Sequence, residues 1–331
     1  MSQPFSIAIH GGAGTILREQ MSDELKMGIT EALEKSVLAG YQVLKAGGDA
    51  LDAVVASVKV MEDSSHFNAG KGSVLTHDEF VEMDASVMHG SEMDAGAIAG
   101  VRHIKNPIEL ARDVMLKSDH VLLIGEGAEK FAFEHDYTFT EQDYFFTERR
   151  YDQLQSMKEK GIFALSEAKY DEQQAEKYPD DKKYGTVGAV ALDQSGNLAA
   201  ATSTGGVTNK KYGRVGDSPI IGAGTIAENG NVAVSTTSPI SLAATFGISV
   251  DFFSSGYLDV SVPPVRLAAL CIHAAHHMHE RVVADVGAAG PLQHAVNLRG
   301  RHGGARKSHR AGRRGGFACS PLEISRSVHV L

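Results

Sequence analysis

The chain of 331 residues has few cysteines and no long apolar run. Its two cysteines, Cys271 and Cys319, cannot form a disulfide framework, so we expect a reducing compartment, the cytoplasm. No stretch reaches about eighteen uninterrupted apolar residues, which predicts no membrane-spanning helix. The first residues, MSQPF, have neither a charged start nor an apolar run behind it, so we expect no secretory leader.

The chain also lacks a basic surplus, because its formal net charge is −9. We therefore expect its main body to bind no nucleic acid. The balance changes along the chain: residues 1–250 carry 22 Lys and Arg against 36 Asp and Glu, and residues 251–331 carry 10 against 5. The Arg- and Gly-rich run at 299–316 has neither helical nor strand period. Two interpretations remain for it: out-of-frame translation, or a disordered basic arm that binds polyanions.

One stretch organises the rest of the sequence. Residues 166–184 contain no Val, Ile, Leu, Met or Phe, which predicts a mobile linker through residue 185. Residues 187–192 are apolar, as in a buried strand, so Thr186 stands between a linker and the core. If the Gly185–Thr186 bond is cut, Thr186 carries a hydroxyl and an α-amine with a pKa of about 7.7–8.0, which can take the hydroxyl proton. The alternative is an ordinary strand threonine that follows a surface loop.

Strands and helices alternate along the chain, which predicts a layered fold. Residues 5–10 read as a strand, residues 25–44 as a helix, and Asp49 as the cap of a second helix. Residues 192–198 read as a hairpin turn between two strands. This hairpin brings Thr204 back to the neighbourhood of Thr186.

Several short sequence motifs follow one another along the chain. They are IAIHGGAG at 7–14, FNAGKG at 67–72, EMDASVM at 82–88, YGTVGAVALD at 184–193, ATSTGG at 201–206, TNK at 208–210, GRVGDSP at 213–219 and GAG at 222–224. Over residues 7–237 the chain closely resembles the plant-type L-asparaginase/isoaspartyl peptidase family of N-terminal-nucleophile hydrolases.

The resemblance implies an α+β fold, a four-layer αββα sandwich with two antiparallel sheets between helical layers. It implies self-cleavage into an α-subunit, residues 1–185, and a β-subunit, residues 186–331, that assemble as (αβ)2. It further implies hydrolysis of L-asparagine and β-aspartyl dipeptides to release aspartate. The implied catalytic residues are Thr186, Thr204, Thr237 and Asn68. The implied substrate-binding residues are Arg214, Asp217 and Ser238.

The chemistry of these residues suits the implied roles, although each has a simpler alternative. Arg214 offers a planar fork for a carboxylate, and Asp217 accepts from an ammonium, so together they fit an amino-acid head group. The alternative is a surface salt bridge. Asn68 matches the asparagine that orders the catalytic water in the family, and the alternative is a turn asparagine. Thr237 and the amide of Ser238 match the oxyanion hole.

No cofactor is required by this chemistry, and the resemblance implies one structural sodium ion. We expect a loop at 61–71 whose main-chain carbonyls hold the ion, since carbonyl oxygens suit a hard cation. The matching positions are Met61, Glu62, Ser64, Phe67, Ala69 and Lys71.

The resemblance stops at residue 238. The family continues with a glycine-rich turn, and here Ser238 is followed by Pro239 and Ile240. Pro239 offers no amide proton, and we expect residues 238–331 to be atypical and to pack poorly against the sheets. An inactive relative that only binds ligands is therefore one alternative. A glycosylasparaginase-like hydrolase is another, disfavoured because that branch has Asp where Gly185 stands.

Overall fold

A computed structural model describes residues 4–12, 22–159 and 185–236 in full, and residues 269–272 and 328–330 as backbone. This part of the chain contains five α-helices and ten β-strands. The helices are α1 Asp23–Lys45, α2 Ala50–Glu62, α3 Pro107–Lys117, α4 Gly125–Glu134 and α5 Glu148–Glu159. The strands are β1 Ser6–His10, β2 Met83–His89, β3 Asp94–Val101, β4 Leu122–Ile124, β5 Val187–Leu192, β6 Leu198–Thr204, β7 Thr225–Glu228, β8 Val232–Thr236, β9 Ala269–Ile272 and β10 Val328–Val330.

The first two helices begin where their caps predict. Ser22 accepts a hydrogen bond from Leu25 N at the start of α1, and Asp49 accepts one from Leu51 N, at 2.7 Å, at the start of α2. Gly47, at φ +84°, follows the end of α1 and lets the chain reverse. The structure therefore confirms both helices and the cap at Asp49.

Helix α2 extends two residues into the segment 61–71, which was predicted to be a loop. Met61 and Glu62 form the last turn of α2, so the loop begins only at Asp63. The physical reason lies in the Glu62 side chain, which is fully buried and accepts from Ile108 N at 3.0 Å and from Ser203 Oγ at 2.7 Å. Burial raises the pKa of this carboxyl to about 8.

The main sheet has seven strands in the order β10-β1-β5-β6-β2-β3-β4. Its central pairs, from β1 to β3, are antiparallel, as the resemblance predicts. The outer pairs differ, since β3–β4 and β1–β10 are parallel. The second sheet has the order β7-β8-β9, with an antiparallel and then a parallel pair.

These elements form three layers. Helices α1, α2 and α3 pack against one face of the seven-stranded sheet, and β7 and β8 pack against its other face. The larger apolar core lies between the helices and the sheet. A smaller core of Ala8, Met88, Val190, Ala200 and Ala233 lies between the two sheets. The protein is thus a mixed α/β fold.

The C-terminal segment contributes strands to both sheets. Strand β9 pairs with β8, and β10 pairs with β1, in each case parallel. The side chains of this segment lie outside the described residues, so the expected poor packing of 238–331 stays a prediction. Among the residues that the structure does describe, no helix is long and apolar enough to cross a membrane.

The predicted hairpin joins β5 to β6. Asp193 organises its turn, because Oδ1 accepts from Ser195 N at 2.8 Å and from Asn197 N at 2.9 Å. The strands pair Val187 with Ser203, so continuing this register places Thr186 opposite Thr204. The hairpin therefore returns the end of β6 to the predicted nucleophile.

Candidate active site

Thr186 lies immediately before β5, and it is only 7% exposed. The backbone before it is packed tightly by the chain that follows β1. A Cβ on Gly12 would lie 2.5 Å from the Gly185 carbonyl oxygen, and Gly12 has φ +116°, so only glycine suits this position. The predicted cleavage bond is therefore held between β5 and the glycine turn after β1.

The hydroxyl of Thr186 faces a second hydroxyl. Its Oγ1 lies 3.4 Å from the Oγ of Ser218, which is 1% exposed. The backbone of Ser218 is fixed by Ser86 of β2, whose Oγ donates to the Ser218 carbonyl at 2.6 Å. The loop that carries Arg214 and Asp217 thus reaches Thr186 through Ser218.

Asn68 is buried and joins two loops at this site. Its Nδ2 donates to the Gly206 carbonyl at 2.7 Å, and its Oδ1 accepts from Val74 N at 3.0 Å. Its own carbonyl accepts from Gly205 N at 3.1 Å. Asn68 therefore ties the loop after α2 to the glycine pair that follows β6.

Thr204 ends β6 and is also buried. Its hydroxyl accepts from Gly206 N at 3.0 Å, which bends the chain directly after the strand. Thr204 and Asn68 thus converge on Gly206 from opposite sides. The structure brings both predicted residues to the end of the strand that faces Thr186.

Two cations border Gly206. A Cβ on this glycine, at φ +80°, would lie 3.2 Å from Lys210 Nζ and 3.7 Å from Arg214 Nη1. Arg214 is exposed, whereas Lys210 is only 4% exposed. Asp217 lies three residues from Arg214, where its carbonyl accepts from Ile220 N at 2.9 Å. Arg214, one of the two predicted head-group residues, therefore lies beside a buried lysine.

Lys210 belongs to a buried group of charges. Its Nζ donates to the Glu82 carbonyl at 2.9 Å and lies 4.0 Å from Glu82 Oε2. The other carboxylate oxygen of Glu82, Oε1, pairs with Arg102 at 2.7 Å. Burial lowers the pKa of Lys210, while the charges of Asp84 and Glu82 oppose that shift. Burial raises the pKa of Asp84, while Lys210, the amide of Gly100 and Arg214 oppose it.

A second polar group links the two sheets. Thr202 of β6 is bonded to Ser235 of β8 at 2.7 Å and to Thr225 of β7 at 2.6 Å. Ser235 is in turn 2.9 Å from His10 Nε2 at the end of β1. Gly188 makes room for this contact, since a Cβ there would collide with Ser235 Oγ. Ser86 Oγ also donates to Thr225 Oγ1 at 2.7 Å, and we call His10, Ser235, Thr202, Thr225 and Ser86 the inter-sheet network.

Sequence reasoning missed the roles of Lys210, Ser218 and the inter-sheet network. All of these residues except Ser235 lie inside or beside a recognised motif, but Lys, Ser and Thr are common surface residues, and only burial distinguishes those that form the site. Thr237 and Ser238, the predicted oxyanion residues, lie outside the described residues, as does most of the predicted linker.

The predicted sodium loop is tightly wound. Gly70, at φ +53°, and Gly72 approach the carbonyls of Glu62 and Phe67 so closely that a Cβ on either would collide with them. These carbonyls are suitable oxygen donors for a hard cation. Within the described residues, no three or more His, Cys, Asp or Glu side chains cluster as they would around a metal ion.

Comparison with known proteins identifies the family of the chain. A family model described as asparaginase matches residues 2–239. The chain belongs to this asparaginase family. It is 52% identical over 233 residues to the isoaspartyl peptidase of Escherichia coli strain K12, covering 70% of each chain. It is 47% identical to the isoaspartyl peptidase/L-asparaginase of Rattus norvegicus, covering 70% of this chain and 65% of that one.

Archaeal members of the asparaginase family are equally similar. The plant-type L-asparaginase of Pyrococcus furiosus is 49% identical over 227 residues, which is 67% of this chain and 70% of that protein. The family match ends at 239, close to residue 238, where the sequence departs from the family pattern.

Proposed function

We propose that this member of the asparaginase family is a self-cleaving threonine hydrolase. It releases aspartate from L-asparagine and from β-aspartyl dipeptides. The observation that carries the proposal is the placement of Thr186: a buried threonine at the start of a core strand, preceded by a glycine that the turn after β1 packs tightly. The relatives named isoaspartyl peptidase and L-asparaginase support the substrate class.

Self-cleavage is an acyl shift followed by hydrolysis. Thr186 Oγ1 attacks the Gly185 carbonyl carbon, the carbon–nitrogen bond breaks, and the hydroxyl proton moves to the Thr186 nitrogen. Water then hydrolyses the resulting ester, which leaves Gly185 with a carboxylate and Thr186 with its hydroxyl and a free amine. The amine is the base that the mature enzyme needs.

Substrate hydrolysis uses the same oxygen. The amine takes the hydroxyl proton, Thr186 attacks the side-chain carbonyl of the substrate, and ammonia or an amino acid leaves. Water hydrolyses the acyl-enzyme and frees aspartate. Thr237 and the amide of Ser238 steady the oxyanion, a contact of a kind worth about 3–4 kcal/mol. Arg214 binds the substrate carboxylate, Asp217 binds its ammonium, and Asn68 orders the water.

We further propose the four-layer αββα sandwich and the (αβ)2 assembly for this chain. The sodium ion is also part of the proposal, and the crowded carbonyls of Glu62 and Phe67 support it. The main-chain carbonyls of the predicted loop would hold the ion, and they belong to Met61, Glu62, Ser64, Phe67, Ala69 and Lys71. A bound ion would fix the loop that carries Asn68 and would supply no chemistry to the reaction.

Self-cleavage gives the decisive experiment. The purified chain is expected to yield two fragments on a denaturing gel, with a new N-terminus at Thr186, and to hydrolyse β-aspartyl dipeptides. Thr186→Ala should remain whole and inactive. Thr76→Ala is the matched control, since Thr76 is also buried but its hydroxyl accepts from Phe80 N, and this variant should cleave normally.

The two alternative functions, an inactive relative and a glycosylasparaginase-like enzyme, predict different results in the same experiment. An inactive relative stays whole and turns over no substrate. A glycosylasparaginase-like enzyme hydrolyses glycosylated asparagine faster than β-aspartyl dipeptides. Cleavage at any bond other than Gly185–Thr186 would show that Thr186 is not the nucleophile.

A further inference from the structure

The Ser218 hydroxyl has an unusual environment. Ser218 is 1% exposed, and within the described part of the chain its hydroxyl bonds to a single side chain, that of Thr186. The Thr186 hydroxyl likewise has Ser218 as its only side-chain partner among the described residues. A buried hydroxyl is costly unless it is hydrogen-bonded, so these two groups stabilise each other's burial.

Self-cleavage poses a problem that substrate hydrolysis does not. Before cleavage, the Thr186 nitrogen is part of the Gly185–Thr186 amide, so it carries no lone pair that can act as a base. The base that activates the hydroxyl in the mature enzyme therefore does not yet exist. Another group must orient the hydroxyl for its attack on the Gly185 carbonyl.

We propose that Ser218 is a further catalytic residue, which holds the Thr186 hydroxyl in place during self-cleavage. This inference rests on the proposed self-cleavage. The Thr186 hydroxyl donates a hydrogen bond to Ser218 Oγ and keeps its proton, which leaves an oxygen lone pair free to face the Gly185 carbonyl. Ser218 ends the step with the proton that it began with, because the Thr186 proton passes to the Thr186 nitrogen.

Ser218 is well placed to hold the hydroxyl, because other groups fix its backbone. Pro219 follows it and restricts Ser218 to extended conformations. Ser86 Oγ donates to the Ser218 carbonyl at 2.6 Å. Gly224 packs on it as well, since a Cβ there would lie 2.6 Å from the Ser218 Cα. The position of Ser218 therefore does not depend on its own hydroxyl, which is left for Thr186.

The distance of 3.4 Å between the two oxygens is longer than the 2.7–2.8 Å of an ordinary hydroxyl pair. Catalytic hydrogen bonds are often long in resting structures and shorten as the reaction proceeds. Neither hydroxyl has to release another side chain among the described residues as the two oxygens approach each other.

The test compares the self-cleavage rate of matched serine variants. The uncleaved chain is produced by cell-free translation, samples are quenched in detergent at intervals, and the fragments are measured on a gel. Ser218→Ala is expected to slow cleavage about tenfold, the value of one hydrogen bond of about 1.4 kcal/mol. Ser218→Thr keeps the hydroxyl and should restore most of the rate.

Ser36→Ala is the control for the loss of a buried serine hydroxyl. Ser36 is fully buried, and its Oγ donates to the Ser57 carbonyl at 2.8 Å, between helices α1 and α2. This variant is expected to cleave at the wild-type rate. Once fully cleaved, Ser218→Ala should show a smaller loss in kcat than in cleavage rate, with KM unchanged, because the free amine now activates Thr186.

The possible outcomes separate the two levels of the argument. A wild-type chain that stays whole overturns the proposed function, and the role of Ser218 with it. A wild-type chain that cleaves while Ser218→Ala cleaves equally fast overturns only the role of Ser218. The same conclusion follows if Ser36→Ala is slowed as much. If Ser218→Ala fails to unfold cooperatively, Ser218→Cys takes its place, since a thiol is only a weak acceptor and should also cleave slowly.

Discussion

Replacing Lys210 by methionine tests the buried charges beside the site. Lys210 lies 4.0 Å from Glu82 Oε2, and its charge also favours the charged form of Asp84, a fully buried residue whose Oδ1 accepts from Gly100 N at 2.8 Å. Methionine fills a similar volume without the charge. Removing one partner of a buried ion pair costs about 3–5 kcal/mol, because the remaining charge is left uncompensated. We expect Lys210→Met to lose stability of that size, a large part of the 5–15 kcal/mol that is typical of folded proteins.

The assay is urea unfolding at neutral pH on four chains: wild type, Lys210→Met, Asp84→Asn and the double variant. The double variant should be more stable than the sum of the single losses predicts, because it leaves no isolated charge. Lys130→Met is the matched control. Lys130 is 77% exposed and lies 3.9 Å from Glu134, so its loss should change stability by less than about 0.5 kcal/mol.

The stability loss of Lys210→Met should depend on pH, and the direction of that dependence follows from the pKa of Asp84. Burial already raises the pKa of Asp84, and losing Lys210 raises it further. A carboxyl whose folded pKa exceeds its unfolded pKa binds its proton more readily in the folded state, so the folded state gains stability as pH falls between these two values. The deficit of Lys210→Met should therefore shrink toward acid pH. A variant as stable as the wild type, or a double variant that loses the full sum, would refute the electrostatic coupling between Lys210 and Asp84.

Two further predictions concern the site and the inter-sheet network. Arg214→Ala should raise KM for β-aspartyl dipeptides by at least about thirtyfold, from a loss of roughly 2–5 kcal/mol, and leave self-cleavage intact. Arg214→Lys should recover only part of this loss, and equal steady-state kinetics would exclude Arg214 from the site. Thr202→Val should cost about 1–3 kcal/mol in urea unfolding, because Ser235 and Thr225 each lose a buried partner. Thr202→Ser keeps the hydroxyl, and an equally unstable serine variant would contradict this reasoning.

Sequence patterns correctly predicted those structural elements that depend on residues close together in the chain. The cap at Asp49, the hairpin around Asp193 and the strand after Gly185 all follow from residues within a few positions of one another. The hairpin then placed Thr204 opposite Thr186, because register follows from a short turn. The predicted loop at 61–71 was wrong at its start, since Glu62 is held in the helix by Ile108 and Ser203, which are distant in sequence.

The rest of the site could not be predicted from the sequence because it depends on contacts across the fold. Lys210 approaches Glu82 over 128 positions, and Ser218 is fixed by Ser86 over 132 positions. Lysine and serine are both common on protein surfaces, and only the burial of these two residues indicates that they belong to the site. Parallel pairing at the sheet edges is likewise set by where the chain returns, as β10 does beside β1.

The inter-sheet network joins the two halves of the proposed chemistry. Thr186 precedes a strand of the seven-stranded sheet, whereas Thr237 directly follows Thr236, the last residue of β8 in the other sheet. The spacing of nucleophile and oxyanion groups therefore depends on how far apart the sheets lie. The hydrogen bond of 2.9 Å from His10 to Ser235 crosses that gap, two residues before the Gly12 that packs Gly185 and two residues before Thr237. Since misplacement by about 1 Å can cost on the order of a hundredfold in rate, we expect the His10–Ser235 contact, together with the bonds of Thr202 to Ser235 and Thr225, to influence the proposed reaction through the spacing of the sheets.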